Sequence, residues 1–512
     1  MGVSKLWPLL GDSMEHVPLS SCSGEKWAVD LTAWIVHGYS AGSSKSYVSE
    51  RYVMMKTVFY RTLCLLKNGI IPIFVMDAQK APNVKGPVLQ HRSQSVFGHT
   101  KEEPTDRSGL AAINAMCQQL LEPIGLTVIT SPSEAEKTCA YLNRQEVVNG
   151  CLTDDSDVFA YGAATVYRNV DFKEMTVERY SIDDIKKELE LDRNGMVVLA
   201  CLGGCDFGKG VTGVGPATVC ELLKDMRKYE EDIVTRVLTW KENTELKALS
   251  EKKNQLKEMH KSPHCGDCKH TGKRPEHQSN GCGTCQTSKG CVDESTVPCD
   301  CLYHALKREI DPYDKELSVW KKALETEGFP NTELVKEFLE DDKMDYPVET
   351  VLKMPDWTPL AQQVKQYLNL DQDDLMAKMI PILVHMHLHG TLDVPGAKPL
   401  SILKSCKRNF VLCYQVPWER FEFDQWTPGA LPPQEKTPDS KRGASQEVYT
   451  VDVECELFGK KYPTLVQQFT QSSSKRSKKT PWKRGATEDT SQGKLTDVFK
   501  AAKRKLFDED KE

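Results

Sequence analysis

The chain reads as an α/β protein built on a parallel sheet, and three observations carry that reading. Short apolar runs ending in acids recur through the first two-fifths of the 512 residues. Stretches with helical spacing lie between them, and strands alternating with helices argue for a parallel sheet. The acids stand at the carboxyl ends of the runs, where open sheets of this kind bind ligands.

Taken in order, Trp27-Ala-Val-Asp30 is a short strand ending in an acid, and Ile70 to Asp77 repeats the arrangement. Leu126 to Thr130 leads into Glu134 and Glu136, and Gly150-Cys-Leu-Thr-Asp154-Asp155-Ser-Asp157 closes on further acids. Helical patterns fall at about 47–68, 108–123 and 132–146. Ser131-Pro-Ser-Glu134 predicts a helix entrance, with Pro132 at the first helical position and a capping-box spacing. Asp155 and Asp157, two apart in extended chain, project to one side while Asp154 points away. Glu134 and Glu136 would stand about 200° apart inside a helix, so they converge only at its entrance.

With Asp206, this makes seven acids placed as if at successive strand ends. Any one alone reads as an ordinary surface acid, since 73 residues are Asp or Glu. Gathered in one site they require cations to neutralise them. Oxygen-only donor sets select Mg²⁺, with Mn²⁺ able to substitute. Two such ions roughly 3.5–4 Å apart make a phosphodiester-cleaving centre.

Several motifs in order carry a family likeness: Met1-Gly-Val-Ser-Lys-Leu-Trp7, Ala28-Val-Asp30, Phe74-Val-Met-Asp77, Glu134-Ala-Glu136-Lys-Thr-Cys-Ala-Tyr-Leu142, Thr153-Asp-Asp-Ser-Asp157, Leu202-Gly-Gly-Cys-Asp206 and Gly213-Val-Gly215-Pro-Ala. The chain resembles the FEN/XPG flap-endonuclease family over about 1–400, and more weakly over 400–470. Gly150-Cys-Leu-Thr-Asp, Tyr161-Gly-Ala, Val166-Tyr-Arg-Asn169 and a cysteine-rich insert after residue 260 make it most similar to the GEN-type Holliday junction resolvases.

The resemblance implies a PIN-like parallel sheet flanked by helices, and a structure-specific endonuclease using two Mg²⁺ ions. Asp30, Asp77, Glu134, Glu136, Asp155, Asp157 and Asp206 would hold them, one ion activating a water and the other stabilising the leaving 3′ oxygen. Asp77 stands where such resolvases often carry Glu. His91 occupies roughly the place of the family's usual Lys in the arch, beside Arg92, a catalytic candidate that would help bind the scissile phosphate. Lys85, Arg92 and Lys101 are alternative sources of that charge. The likeness also implies that Gly2 tucks against DNA. Myristoylation is excluded because Leu6 stands where Ser or Thr is needed.

Gly213-Val-Gly215-Pro reads locally as a hairpin opening a helix near 216–224, where glycines let backbone amides approach a phosphate. After Asp206 it resembles a helix–two-turn–helix element gripping uncut duplex, often with K⁺. In the insert, Cys265-Gly-Asp-Cys268 and Cys282-Gly-Thr-Cys285 suit a tetrahedral Zn²⁺. Cys291, Cys299, Cys301 and His304 follow, and the alternative is a reduced, partly disordered insert. Isolated cysteines elsewhere read as buried thiols.

From 313 to 390 the apolar spacing is helical, with Leu317, Trp320 and Leu324 on one face and Leu334, Val335, Phe338 and Leu339 on another. Phe410 to Trp418 is strand-like, and Tyr449-Thr-Val-Asp-Val leads to a helix near 453–469; together they resemble the chromodomain-like module of GEN-type resolvases. The organisation is therefore a nuclease region at 1–96, an arch/linker at 97–121, an internal nuclease region at 122–208, and the helix–two-turn–helix at 209–245. The cysteine-rich insert follows at 246–312, a helical completion of the core at 313–397, the module at 398–470, and a basic disordered tail at 471–512.

Net charge is −6, but the tail carries 12 Lys and Arg against 7 Asp and Glu, and local basic surface is what meets phosphate. Lys475 to Lys479 with Lys483-Arg484, and Lys503-Arg-Lys505, read as nuclear import signals. Residues 492–499 approach a sliding-clamp box, although Val498 spoils its first aromatic. No apolar run spans a membrane and no signal peptide is present. The expectation is a nuclear enzyme that cuts branched DNA, resolving four-way junctions as a homodimer and cutting 5′ flaps in recombination and repair. A replication or repair 5′-flap endonuclease is the alternative within the class, and a non-catalytic zinc-stabilised DNA-binding scaffold the alternative outside it.

Overall fold

The computed structural model describes residues 2–35, 50–78, 108–229, 232–259, 263–292, 298–299, 301–342, 350–408, 411–419 and 448–477. Within the first compact unit, seven strands form one sheet: β1 (Met14–Pro18), β2 (Lys26–Asp30), β3 (Ile71–Met76), β4 (Val128–Thr130), β5 (Gly150–Leu152), β6 (Thr165–Asp171) and β7 (Thr176–Ser181). Their order is β1-β7-β6-β5-β2-β3-β4. The pairs among β6, β5, β2, β3 and β4 are parallel, as expected. The other edge differs: β7 runs antiparallel to both β6 and β1. The cause is local, because the link from Asp171 to Thr176 is too short for a crossover and can only turn back.

The central strands are apolar because both faces are covered. Trp27, Ala28, Val29, Phe74 and Val75 are all buried, and Trp27 stacks on Tyr167 with ring centroids 4.0 Å apart. The helices between strands are Glu50–Lys67, Ser108–Leu121 and Ala135–Arg144. Helix Arg193–Gly203 starts where Asp192 accepts the Gly195 N–H at 2.9 Å, a side-chain N-cap. Helix Pro216–Met226 opens with Gly215 at its N-cap and Pro216 at the first position, as the hairpin reading predicted.

Helices Asp314–Glu325, Thr332–Leu339, Trp357–Leu368 and Gln372–His389 fill the predicted helical stretch. Leu317 and Trp320 are buried, but Leu324 is 36 % exposed and Ala323 takes the core position instead. Leu324 keeps the angular position of the stripe but stands in the last turn of the helix, one residue before its end at Glu325. Arg236 reaches the buried Glu316 at 2.8 Å, and Trp240 Nε1 donates to the same carboxylate at 3.1 Å. That satisfied pair fixes helix Ile233–Leu238 against Asp314–Glu325.

The second compact unit centres on a three-stranded sheet ordered β10-β9-β8, with β8 at Lys404–Arg408, β9 at Val411–Trp418 and β10 at Tyr449–Glu454. One helix was expected after β10, but two follow, Cys455–Lys461 and Pro463–Ser477. Pro463 has no N–H to continue the first helix, which ends before it. Tyr414 meets the rings of Phe458 and Phe469 at 6.1 and 5.7 Å, so these aromatics form a core. The 427–446 loop, most of the basic tail with Lys483-Arg484 and Lys503 to Lys505, and the 492–499 segment lie outside the described residues. No helix among the described residues is long and apolar enough to cross a membrane.

Candidate metal centre

Asp30 is the last residue of β2, and Asp77 directly follows β3. Both are buried, and both are gripped by neighbours. Asp30 accepts the Ala33 N–H and the Thr153 hydroxyl, each at 3.0 Å. Asp77 accepts the Ala135 N–H at 2.9 Å and the Thr32 hydroxyl at 2.7 Å. Partners of this kind orient carboxylates toward an ion and hold them there.

Glu134 and Glu136 converge at a helix entrance, as expected, but the entrance lies later in the chain than Pro132 suggested. Helix Ala135–Arg144 begins three residues after Pro132, and Glu134 is its N-cap with extended backbone (φ −98, ψ 141). The Ser131 hydroxyl donates to the Glu134 carbonyl at 2.8 Å and accepts the Ser133 N–H at 3.1 Å, closing a turn that leaves Pro132 outside the helix. Because Glu134 is not helical, the opposed facing of residues two apart does not arise. Oxygens of Asp77, Glu134 and Glu136 lie within 4.8 Å of one another, all three residues buried.

A second trio, Asp155, Asp157 and Asp206, is gathered to the same tolerance. Its route also differs from the extended chain expected. Ser156 is in the right-handed helical region, and Asp157 opens the short helix Asp157–Ala160, its N–H donating to Asp155 Oδ1 at 3.0 Å. A turn, not a strand, brings the two acids together. Asp206 does not end a strand either; it follows helix Arg193–Gly203 after Gly204, whose φ is +88.

Asp30 joins neither trio but senses both. Burial, then the like charge of Asp77, with a smaller contribution from Asp155, pushes its carboxyl up to about 7 against the pull of its two hydrogen bonds. Tyr161 is raised well above its ordinary value by burial, by Glu337, and by Glu134, Asp157 and Glu136, members of both trios. Charge from both trios therefore converges on Asp30 and Tyr161. The nearby buried cation, Lys137, is engaged by Glu337 at 3.2 Å and Asp342 at 3.1 Å. A basin of buried carboxylate oxygens fits hard divalent cations.

Gly2 lies against this basin: a Cβ there would stand 2.2 Å from Asp155 Oδ1, and its φ is +88. Only glycine fits. Gly213, with φ +73, has its carbonyl capped by the Lys322 ammonium at 3.0 Å, placing a cation beside the Gly213–Gly215 turn. Lys85, His91, Arg92 and Lys101 lie outside the described residues.

Thr32 and Thr153 escaped sequence reasoning, although each lies within two residues of an acid that was noticed. Arg61 and Arg168 were missed too. They line a cleft with Trp34, Thr153, Asp154 and Phe172, and Arg168 stacks 4.1 Å over Trp7 while reaching Asp154 at 3.5 Å. The zinc expectation is regrouped: Cys265, Cys268, Cys282 and Cys285 do not form one tetrad. Cys265 and Cys268 gather with His277 and Cys291, and Cys282 and Cys285 with Cys268 and His270. The histidines were missed because a Cys-x-x-Cys search ignores ligands that lie two (His270) and nine (His277) residues beyond its second cysteine.

Comparison with known proteins shows which families and folds the chain is similar to. Residues 1–96 match the XPG N-terminal domain, residues 125–206 the XPG I-region, and residues 398–471 the chromatin organization modifier domain 2. Flap endonuclease GEN homolog 1 of Homo sapiens is 30 % identical over 478 residues, covering 91 % of this chain and 50 % of its own length. The chain thus spans about half the length of that relative. The structure of human GEN1 in complex with Holliday junction DNA superposes with a TM-score of 0.60 at 23 % identity, covering 94 % of this chain and all of that one. A GEN1 structure in complex with product DNA and an Mg²⁺ ion gives 0.52 at 18 %, over 92 % of this chain and all of that one. At such identities the likeness concerns the fold.

Proposed function

We propose, from the premise that the chain belongs to the XPG family and resembles its GEN flap endonucleases, that it is a Mg²⁺-dependent, structure-specific DNA endonuclease. Its substrates are branched DNA, four-way junctions first and 5′ flaps second. The observation that carries this is the two buried carboxylate trios, Asp77–Glu134–Glu136 and Asp155–Asp157–Asp206, with Asp30 under the charge of members of both.

Bound divalent cations would supply Lewis-acid activation of a water and charge neutralisation at the scissile phosphate. The chain's own residues do the rest. Asp77, Glu134 and Glu136 would hold one cation and Asp155, Asp157 and Asp206 the other, with Asp30 tuned by both trios. Thr32 and Thr153 keep Asp77 and Asp30 pointed inward. Arg61 and Arg168, in the cleft beside Asp154, would bind a DNA phosphate. The turn at Gly213–Gly215 presents helix-start amides to the backbone of uncut duplex, and K⁺ would sit there. No side chain is needed as a nucleophile.

Resolution of a four-way junction needs two symmetric cuts, so the enzyme acts there as a homodimer. Nuclear action and a clamp contact through 492–499 belong to the same reading. Labelled four-way and flap substrates with Mg²⁺ test it. Paired symmetric nicks support the resolvase, and flap cleavage alone the narrower flap endonuclease. Binding without any cutting would sink the enzymatic reading and leave a scaffold.

A further inference from the structure

Residues 263–310 are short of apolar groups, yet they have an interior. It consists of the buried Cys265, Cys268 and Cys282, with Cys285 and Cys291 packed against them. Thiols alone give little apolar area to bury, so another interaction must hold such a segment together. None of its cysteines is in a disulfide. The Cys265–Cys291 and Cys268–Cys282 sulfurs lie 3.8 and 3.9 Å apart, far beyond the roughly 2.05 Å of a disulfide. Zinc–sulfur bonds of about 2.3 Å and zinc–nitrogen bonds of about 2.05 Å, set tetrahedrally, would separate two sulfurs by about 3.8 Å and sulfur from nitrogen by about 3.6 Å.

The imidazoles obey the same metric. His277 Nδ1 is 3.3 Å from Cys268 Sγ, and His270 Nδ1 is 3.5 and 3.3 Å from the sulfurs of Cys282 and Cys285. His264 Nε2 is 3.6 and 3.4 Å from Cys299 and Cys301, and His304 Nδ1 is 3.5 Å from Cys301. The other ring nitrogen of His277 lies 3.0 Å from the Thr271 carbonyl, so Nε2–H donates there and Nδ1 is left with its lone pair toward the sulfurs. Backbone amides also point at sulfur: Cys285 N–H to Cys282 at 3.4 Å and His304 N–H to Cys301 at 3.5 Å. Such bonds favour thiolates over thiols.

From this geometry we infer that the insert binds three zinc ions, two of them joined through the shared thiolate of Cys268. The first ion takes Cys265, Cys268, His277 and Cys291; the second takes Cys268, His270, Cys282 and Cys285. The third takes His264, Cys299, Cys301 and His304, a separate Cys₂His₂ set. Each set offers four ligands and no open position, the mark of a structural rather than a catalytic zinc. Soft thiolates with imidazole suit Zn²⁺ and reject Mg²⁺, so the insert and the carboxylate basin do not compete for metal. Helix Leu302–Ile310 begins on a ligand, Cys301, so the third ion fixes where the chain leaves the insert and rejoins the helical core.

The test is metal content of the full-length chain purified without chelator, read by elemental mass spectrometry, with cobalt substitution as the spectroscopic companion. Three zinc ions per chain are expected. Cys268→Ala should lose two, Cys301→Ala one, and Cys64→Ala, outside the insert, none. Co²⁺-loaded protein should show the intense visible bands of tetrahedral cobalt with sulfur ligands, a readout that does not depend on any variant folding. One ion or none in the parent chain, disulfides on peptide mapping, or loss of a single ion in Cys268→Ala would overturn the proposal. Asp157→Asn should retain all three, so a failed nuclease reading and a failed zinc reading are told apart.

Discussion

The carboxylate basin and the cysteine-rich insert face the same problem, crowding like-charged ligands into one place, and solve it by opposite means. The basin borrows its rigidity. Asp30 and Asp77 sit at the ends of buried parallel strands, and Thr32, Thr153 and the Ala135 amide hold their oxygens. The scaffold is complete before any cation arrives, and it keeps the repulsion in place: Asp30 is raised to about 7 largely by burial and Asp77. The insert has no scaffold to borrow, since its interior is the ligand set itself. In the first region folding creates the metal site; in the second the metal would create the fold.

The contrast is most easily broken by removing one ligand from the basin. Asp157→Asn should lower cleavage of a labelled junction about a thousandfold, the scale of several kcal/mol of lost charge stabilisation, with the melting temperature held or raised. A large drop in melting temperature would mean that the basin, too, depends on its ligands to fold. Stripping zinc with a thiol-competing chelator should do the reverse. Limited proteolysis should then cut within 263–304 while the sheet domain resists, and a resistant insert would erase the distinction.

Smaller effects sharpen the contrast. Thr153→Val removes the hydroxyl bond to Asp30 and should raise the Mg²⁺ concentration for half-maximal cleavage by roughly tenfold, as losses of orienting partners do. Zinc content should not change. The pH dependence of the cation-free protein gives the last measurement. Asp30 moves from an ordinary 3.8 to about 7 on folding, so the folded state keeps a proton that the unfolded state has released. Stability from this group is full below about 3.8 and is lost as pH climbs through 7. Thermal melts between pH 5 and 8 should therefore show decline without Mg²⁺ and recovery when it is added. A flat profile would mean that the like charges are relieved in some other way.

Much of the basin was legible because strand periodicity and acid placement are local signals. β2, β3, β4 and β5 fall on the runs that ended in acids, and Asp30 and Asp77 lie at their tips. What sequence could not reveal was how the remaining acids arrive. Glu134 reaches the site as an extended cap, Asp157 through a turn that bonds Asp155, and Asp206 from the end of a helix. Those geometries depend on hydrogen bonds formed only once the elements pack. The insert was half legible. Paired cysteines raised zinc as an expectation, but the grouping of cysteines and histidines into three sets rests on contacts across the insert, such as His264 to Cys301. The antiparallel β7–β1 edge was missed because neither strand ends in an acid, the feature that drew attention to the others.

The position of Gly2 has a practical side. A Cβ on Gly2 would stand 2.2 Å from Asp155 Oδ1, so anything joined ahead of Gly2 begins beside an acid of the second trio. A purification handle fused at that end would crowd the approach of DNA and, if rich in histidine, bring stray metal to the doorway. Handles belong at the other terminus, and recombinant preparations that retain leader residues should be compared with trimmed protein before any rate is believed.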